Sequence, residues 1–291
     1  MDLEEAARRL IDEYSRMARV YDVQAAPHHV PLVRRVLELA ELEPGMAVID
    51  VGCGTGNLAF ETVERVGPGG HVTGIDAARE AILVAMEKTE RRHLDNVRFE
   101  AMDARHLRYE DETFDAVLSC LGIPTVGRVE CFAEVRRVLR PGGRFVFCEW
   151  SGIGNPITKA FFDTLAKYRA ARPPVAEVAR LLEARRVINA DPGVVGMRKP
   201  EAWVQKLKEL GFREARYLTE AHTTILQDAE EYLSYMLAWG DNERELRSMT
   251  PETRESFGKD LAHRVEPLVT SRGIAISREG HFCIGRSAES S

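Results

Sequence analysis

A short, unbroken apolar run that opens straight into glycine constrains this chain more than any other feature. Residues 46–51 read Met-Ala-Val-Ile-Asp-Val with no polar alternation, the pattern of a strand covered on both faces in a parallel sheet. The run continues as Gly52-Cys-Gly-Thr-Gly-Asn57, and residues 58–66 then carry apolar side chains at three- and four-residue spacing. Glycine at alternate positions between a strand and a helix permits positive φ and lets a ligand come up against the backbone. In open α/β sheets such a turn lies at the carboxyl end of its strand, where nucleotides bind.

Comparable apolar runs recur at residues 71–75, 97–101, 114–118 and 144–149, with helical spacing between them at 79–92 and 129–139. That rhythm predicts a doubly wound α/β fold. Two helices, over residues 3–21 and 31–42, precede the first strand, and Pro44-Gly45 stops the second. After Trp150 the rhythm breaks. Residues 151–199 contain helical segments punctuated by Asn155-Pro156, Pro173-Pro174 and Asp191-Pro-Gly193, which predicts a helical cap inserted after a core of residues 1–150. Residues 200–291 resume the core, with strands near 216–226 and 281–285 flanking a second helical insertion at about 228–270. The strands sum to a mostly parallel, seven-stranded, Rossmann-like sheet with helical caps.

Spacing narrows the ligand. A dinucleotide fingerprint needs a third glycine where Asn57 stands, and no Gly-Lys followed by Ser or Thr forms a P-loop. Asp76 closes the second strand and Asp103 the third. A carboxylate in the first place suits a ribose diol, and one in the second suits the exocyclic amine of adenine.

With these residues in place, the chain resembles the class I S-adenosylmethionine-dependent methyltransferases and looks closest to the group that includes the ubiquinone and menaquinone C-methyltransferases. The likeness covers roughly residues 14–150. It is carried by Tyr21-Asp22, residues 48–57, Gly74-Ile-Asp76, Ala101-Met-Asp103, Phe114-Asp-Ala-Val117 and Glu134-Val-Arg-Arg-Val-Leu-Arg-Pro-Gly-Gly143. Asp50, Gly52, Gly54 and Gly56 match the family's first motif in full. The resemblance implies S-adenosylmethionine as cofactor and S-adenosylhomocysteine as product. It places the cofactor against Gly52, Cys53, Gly54, Gly56 and Asn57, its ribose on Asp76 beside Ala77, and its adenine on Met102, Asp103 and Ala104. Asp50 would help hold the methionine ammonium, Ser119, Cys120 and Leu121 would lie under the methionine portion, and Tyr14 or Tyr21 would close over it. The Asn or Asp followed by Pro-Pro-Tyr or Pro-Pro-Phe of amino-methylating DNA and protein enzymes is absent from the sequence, and the cysteines form no obvious arsenic-binding set.

Composition excludes other classes. The 40 Lys and Arg against 46 Asp and Glu give a net charge of −6, without the basic stretch that nucleic acid requires. Residues 1–19 are charged, so neither a leader nor a membrane span is expected there, and a cytoplasmic location follows by default. The five cysteines contain no C-x-x-C pair, so no metal site is expected.

A small-molecule acceptor is the expected partner, aromatic, quinone-like or polyketide-like, with a homodimer left open. Residues 158–199 are rich in Lys and Arg, a solvated helix face or a mark of an anionic acceptor. Phe161, Phe162, Tyr168, Trp203, Tyr232, Tyr235 and Trp239 are candidates for an apolar wall. Methyl transfer is an in-line displacement, and an acceptor oxygen of high pKa needs a base. His222 is the candidate, with His28 and His29 as alternatives. A cofactor-binding regulator without turnover, or an arsenite, RNA or protein methyltransferase, is the alternative reading.

Overall fold

The computed structural model describes residues 1–152, 154–171 and 174–289. Helices α1 (Leu3–Gln24) and α2 (Val30–Ala40) lead into β1 (Ala47–Val51), and the chain then alternates through α3 (Asn57–Val66), β2 (His71–Asp76), α4 (Arg79–Arg92), β3 (Val97–Ala101), β4 (Phe114–Cys120), α5 (Arg128–Val138) and β5 (Leu139–Trp150). The segments α6 (Pro156–Ala171), α7 (Ala176–Ala190), α8 (Pro192–Gly196) and α9 (Pro200–Glu209) precede β6 (Phe212–Leu226). Helices α10 (Ala229–Leu237), α11 (Gly240–Arg247) and α12 (Pro251–Val265) then lead through β7 (Val269–Thr270) to β8 (Gly273–Ser287).

The sheet runs in the order β3-β2-β1-β4-β5-β8-β6, with the two-residue β7 appended to β8. Strands β1 to β5 pair in parallel, and β8 runs antiparallel to both β5 and β6. Apolar side chains on both faces of the central strands explain the unalternating runs. Val48, Leu118, Val146 and Phe282 pack with α2 and α3 on one side, and Ile49, Val117, Phe145 and Phe147 pack with α5 and α9 on the other.

Two strands are longer than their sequence signals. β6 and β8 each span 15 residues and pair from Phe212↔Ser287 to Leu226↔Ile274, whereas β5 accompanies β8 only as far as Trp150↔Gly280. Beyond that point the pair projects past the sheet as a two-stranded ribbon. Its polar exposed face hid the strand period, and its apolar face, Leu226, Ile274 and Ile276, is buried under α6, α10 and α12.

The helices after β5 do not form one cap. Phe161 and Leu165 of α6 pack with Phe257 of α12 and Tyr232 of α10, while Ala184 and Ile188 of α7 pack against Ala6 of α1. The positive charge in this stretch is largely spent within the protein: Lys167 pairs with Asp260, Arg169 with Glu245, Arg185 with Asp241 and Arg186 with Glu183. Arg172 lies outside the described residues.

Candidate functional site

The glycine turn is held open by its own backbone. Gly52, Gly54 and Gly56 adopt φ of 67°, 53° and 90°, and Gly56 caps α3 at its N-terminus. A Cβ on Gly52 would lie 2.2 Å from the carbonyl oxygen of Gly122, so the exit of β4 crosses directly over the turn. A Cβ on Gly54 would meet nothing within 4 Å. Gly52 is therefore required by packing, and Gly54 borders free space. Gly122, which sequence reasoning passed over, is half of that crossing, and its signal was only a glycine just after the fourth strand.

Asp76 and Asp50 flank the turn, and Asp103 follows the neighbouring strand β3. Asp76 Oδ2 accepts from the Gly54 amide at 2.9 Å and Oδ1 from the Ala78 amide at 2.8 Å, so Asp76 braces the turn as well as facing it; Ala77 beside it is exposed. Burial pushes the Asp76 carboxyl up, against those two amides. Asp50 is 1 % exposed and pairs with no side chain, the Ala59 amide being the one donor that acts on its carboxyl. Burial, then the charge of Asp76, raises its carboxyl to about 8. A carboxyl sealed beneath a ligand-accommodating turn without a cationic partner fits a ligand that brings its own cation.

Asp103 is held differently. Its carboxylate accepts from the Arg105 amide at 2.9 Å and from the guanidinium at 2.8 Å, and Arg105 also grips Glu4 of α1 at 2.6 Å. Met102 is buried, its amide donating to the Asp76 carbonyl, and Ala104 is half-buried. Ser119 is fully buried with an unpartnered hydroxyl, Cys120 lies 3.5 Å from Cys148 sulfur to sulfur, and Leu121 adopts a φ of 60°. Burial pushes the Cys53 thiol well up, so it is an inert neighbour of the turn. Asn57 accepts from Lys88, which in turn pairs with Asp22 at 2.6 Å and ties the end of α1 to the glycine loop.

A cluster of rings adjoins this edge. Tyr21 Oη lies 3.0 Å from His29 Nδ1, Trp239 approaches both rings at about 6 Å, and Trp150, the last residue of β5, packs edge-on against His29. His29 is 4 % exposed and its Nε2 has no partner; the Trp150 Nε1 is likewise unpartnered. Burial first, then the positive charges of Arg278 and His28, hold His29 down to about 4, so it is neutral at physiological pH. Burial holds the Tyr21 phenol far above its usual range, and the neighbouring Asp22, paired with the Lys88 that donates to Asn57, ties this end of α1 to the glycine turn.

The other candidates lie around the margin of this cluster. His28 packs edge-on against Tyr235 and lines an open surface hollow with Val23, Gln24 and Glu231. His222 stands on the ribbon with its ring against Phe282 and Glu220 at 4.0 Å. Tyr14, 52 % exposed on α1, lines a hollow with Leu10, Glu13, Leu181 and the cluster's Trp239. Of the aromatic residues flagged as a wall, Tyr235 and Trp239 join the ring cluster, Trp203 packs beneath the opposite sheet face, and Phe161, Tyr168 and Tyr232 belong to the lobe around the ribbon. Among the described residues, no group of three His, Cys, Asp or Glu is placed to hold a metal ion, and no helix is long and apolar enough to cross a membrane.

Comparison with known proteins shows the family and the fold. A family model described as a methyltransferase domain matches residues 42–215, more than half of the chain. The nocamycin O-methyltransferase of Saccharothrix syringae is 29 % identical over 283 residues, covering 94 % of this chain and 96 % of that one. The ubiquinone/menaquinone biosynthesis C-methyltransferase of Brucella abortus is 34 % identical over 160 residues, covering 52 % of this chain and 60 % of its own length. Among solved structures, the YcgJ protein of Bacillus subtilis aligns with a TM-score of 0.55 at 18 % identity, over 90 % of this chain and all of that one. A phosphoethanolamine N-methyltransferase of Haemonchus contortus, solved with S-adenosylhomocysteine and phosphomonomethylethanolamine, aligns with a TM-score of 0.53 at 16 % identity, over 89 % of this chain and 53 % of its own; at these identities the likeness is one of fold.

Proposed function

We propose, from the premise that this chain belongs to the S-adenosylmethionine-dependent methyltransferase family, that it methylates an oxygen or an acidic ring carbon of a flat small molecule, aromatic, quinone-like or polyketide-like, with His29 as the proton acceptor. The observation that carries the reading is the Tyr21–His29 pair, sealed among rings beside the glycine turn with Nε2 lacking a partner.

Bound S-adenosylmethionine supplies a methyl group made electrophilic by its sulfonium sulfur. In this reading Asp50 meets the methionine ammonium, Asp76 the ribose hydroxyls, and Met102, Asp103 and Ala104 the adenine, with Ser119, Cys120 and Leu121 beneath the methionine portion. The proposed ammonium at Asp50 would turn a buried neutral acid into a paired carboxylate, releasing its proton. With the imidazole hydrogen on Nδ1 and donated to the Tyr21 oxygen, Nε2 offers a lone pair to an acceptor hydroxyl. Tyr21 fixes the ring, its high phenol pKa keeps it protonated, and the surrounding indoles exclude water that would compete for the methyl group.

His222 is the less favoured base, because its ring packs on Phe282 of the sheet rather than on Tyr21. The test is radiolabelled methyl transfer to a panel of phenols, quinols and enolic polyketides by the wild type, His29→Asn and His222→Asn. Loss of a general base is expected to slow His29→Asn by about 100-fold or more with S-adenosylhomocysteine affinity retained. Full activity in His29→Asn with loss in His222→Asn would move the base to the ribbon, and no transfer to any acceptor by a cofactor-binding wild type would favour a regulator without turnover.

A further inference from the structure

With the cap's lysines and arginines largely paired, one cation at the ring cluster is not. Arg278, on β8 where the ribbon leaves the sheet, spreads its guanidinium over the Trp150 ring at 5.4 Å and the Tyr235 ring at 5.5 Å. It pairs with no carboxylate among the described residues, and Tyr235 is its side-chain hydrogen-bond partner. Aromatic faces hold a guanidinium in place while leaving its N–H edges free, and a half-buried cation without a counterion is costly unless a ligand completes it.

Several buried polar groups around Arg278 lack a partner of their own. The Trp150 Nε1–H is buried without an acceptor, His29 and His222 each have a buried unpartnered Nε2, and His222 faces Arg278 across the ribbon register. Two acidic groups of this region are engaged elsewhere: Glu231 accepts from the Gln227 amide and stands 3.9 Å from His28, and Glu220 is gripped by Arg35 at 2.7 Å. Arg278 and His29 both pack on the Trp150 ring, which places the cation close to the proposed base.

Resting on the functional reading above, we propose that the acceptor carries a delocalised oxyanion, a carboxylate or enolate conjugated to its flat ring, which ion-pairs with Arg278 and accepts from Trp150 while a neighbouring hydroxyl meets His29. Arg278 is then the residue that selects the acceptor.

The test is calorimetry on the full chain saturated with S-adenosylhomocysteine, using benzoate and the dimedone enolate against neutral benzamide. The proposal expects at least one of the two anions to bind tenfold or more tighter than benzamide to the wild type, the tighter one identifying the carboxylate or the enolate form. Arg278→Gln is expected to remove that preference, Arg278→Lys to keep part of it, and both to keep cofactor affinity within threefold. Equal binding of benzamide, no binding of either anion, or a preference that survives Arg278→Gln overturns it. Failure of the wild type to bind S-adenosylhomocysteine would instead strike the functional reading beneath it.

Discussion

Asp76 and His29 show how a single side chain here serves both architecture and chemistry. Asp76 is the acceptor for the Gly54 and Ala78 amides, so Asp76→Ala removes a brace of the turn along with the proposed ribose contact. Its expected effect is a loss of S-adenosylhomocysteine affinity of about 1.5 to 3 kcal/mol, accompanied by destabilisation of about 1 to 2 kcal/mol, read by calorimetry and by urea unfolding. Unchanged affinity in a destabilised variant would leave Asp76 only its structural duty. His29 carries a pH signature. Its folded pKa of about 4 lies below the unfolded value of 6.5, so between these the unfolded chain binds the extra proton and stability rises with pH. Lowering the pH from 6.5 to 4 should cost up to about 3 kcal/mol from this group, and His29→Gln should flatten that part of the urea-midpoint profile. An unaltered slope would show that other groups carry the acid sensitivity.

At the scale of elements, the glycine turn and the exit of β4 behave as one unit. The Gly52 and Gly122 backbones touch where side chains would overlap, whereas Gly54 faces open space. Gly52→Ala is therefore expected to destabilise by about 3 kcal/mol or more, because backbone rather than a movable side chain must give way. Gly54→Ala should cost only about 1 kcal/mol of stability for its positive φ, yet weaken S-adenosylhomocysteine binding more than tenfold by filling the space beside the turn. Thermal melts and calorimetry on the pair check this, and a Gly52→Ala protein as stable as Gly54→Ala would contradict the crossing. Helix α1 belongs to the same unit: Glu4 reaches Arg105 behind Asp103, Arg19 pairs with Glu87, and Asp22 pairs with Lys88 beside Asn57.

Across the whole molecule, the segment between β5 and α9 is woven into two separate packing clusters. Excising residues 151–199 for a glycine-rich linker would strip Phe257 and Tyr232 of the Phe161 and Leu165 side chains and leave Ala6 on α1 without Ala184 and Ile188. The expected result is an aggregating protein or one whose melting temperature falls by more than about 10 °C, since several buried apolar residues lose their cover at once. A soluble truncation with an unshifted melt would show an independent cap after all.

The sequence by itself determined the doubly wound core and the reaction class, because both rest on local signals. A strand buried on both faces must be apolar throughout, a turn with positive φ at alternate positions must be glycine, and Asp76 and Asp103 are legible simply by ending strands. Two things were decided only by tertiary structure. The reach of β6 and β8 beyond the sheet was illegible because a ribbon with one exposed face mixes Arg, Glu, His and Thr into its run, and its burial depends on helices far along the chain. The assembly of Tyr21, His29, Trp150, Tyr235, Trp239 and Arg278 was illegible for a stronger reason. They come from the end of α1 and the turn after it, the tip of β5, the α10–α11 segment and the ribbon, and no spacing along the chain encodes a meeting that the sheet order alone brings about.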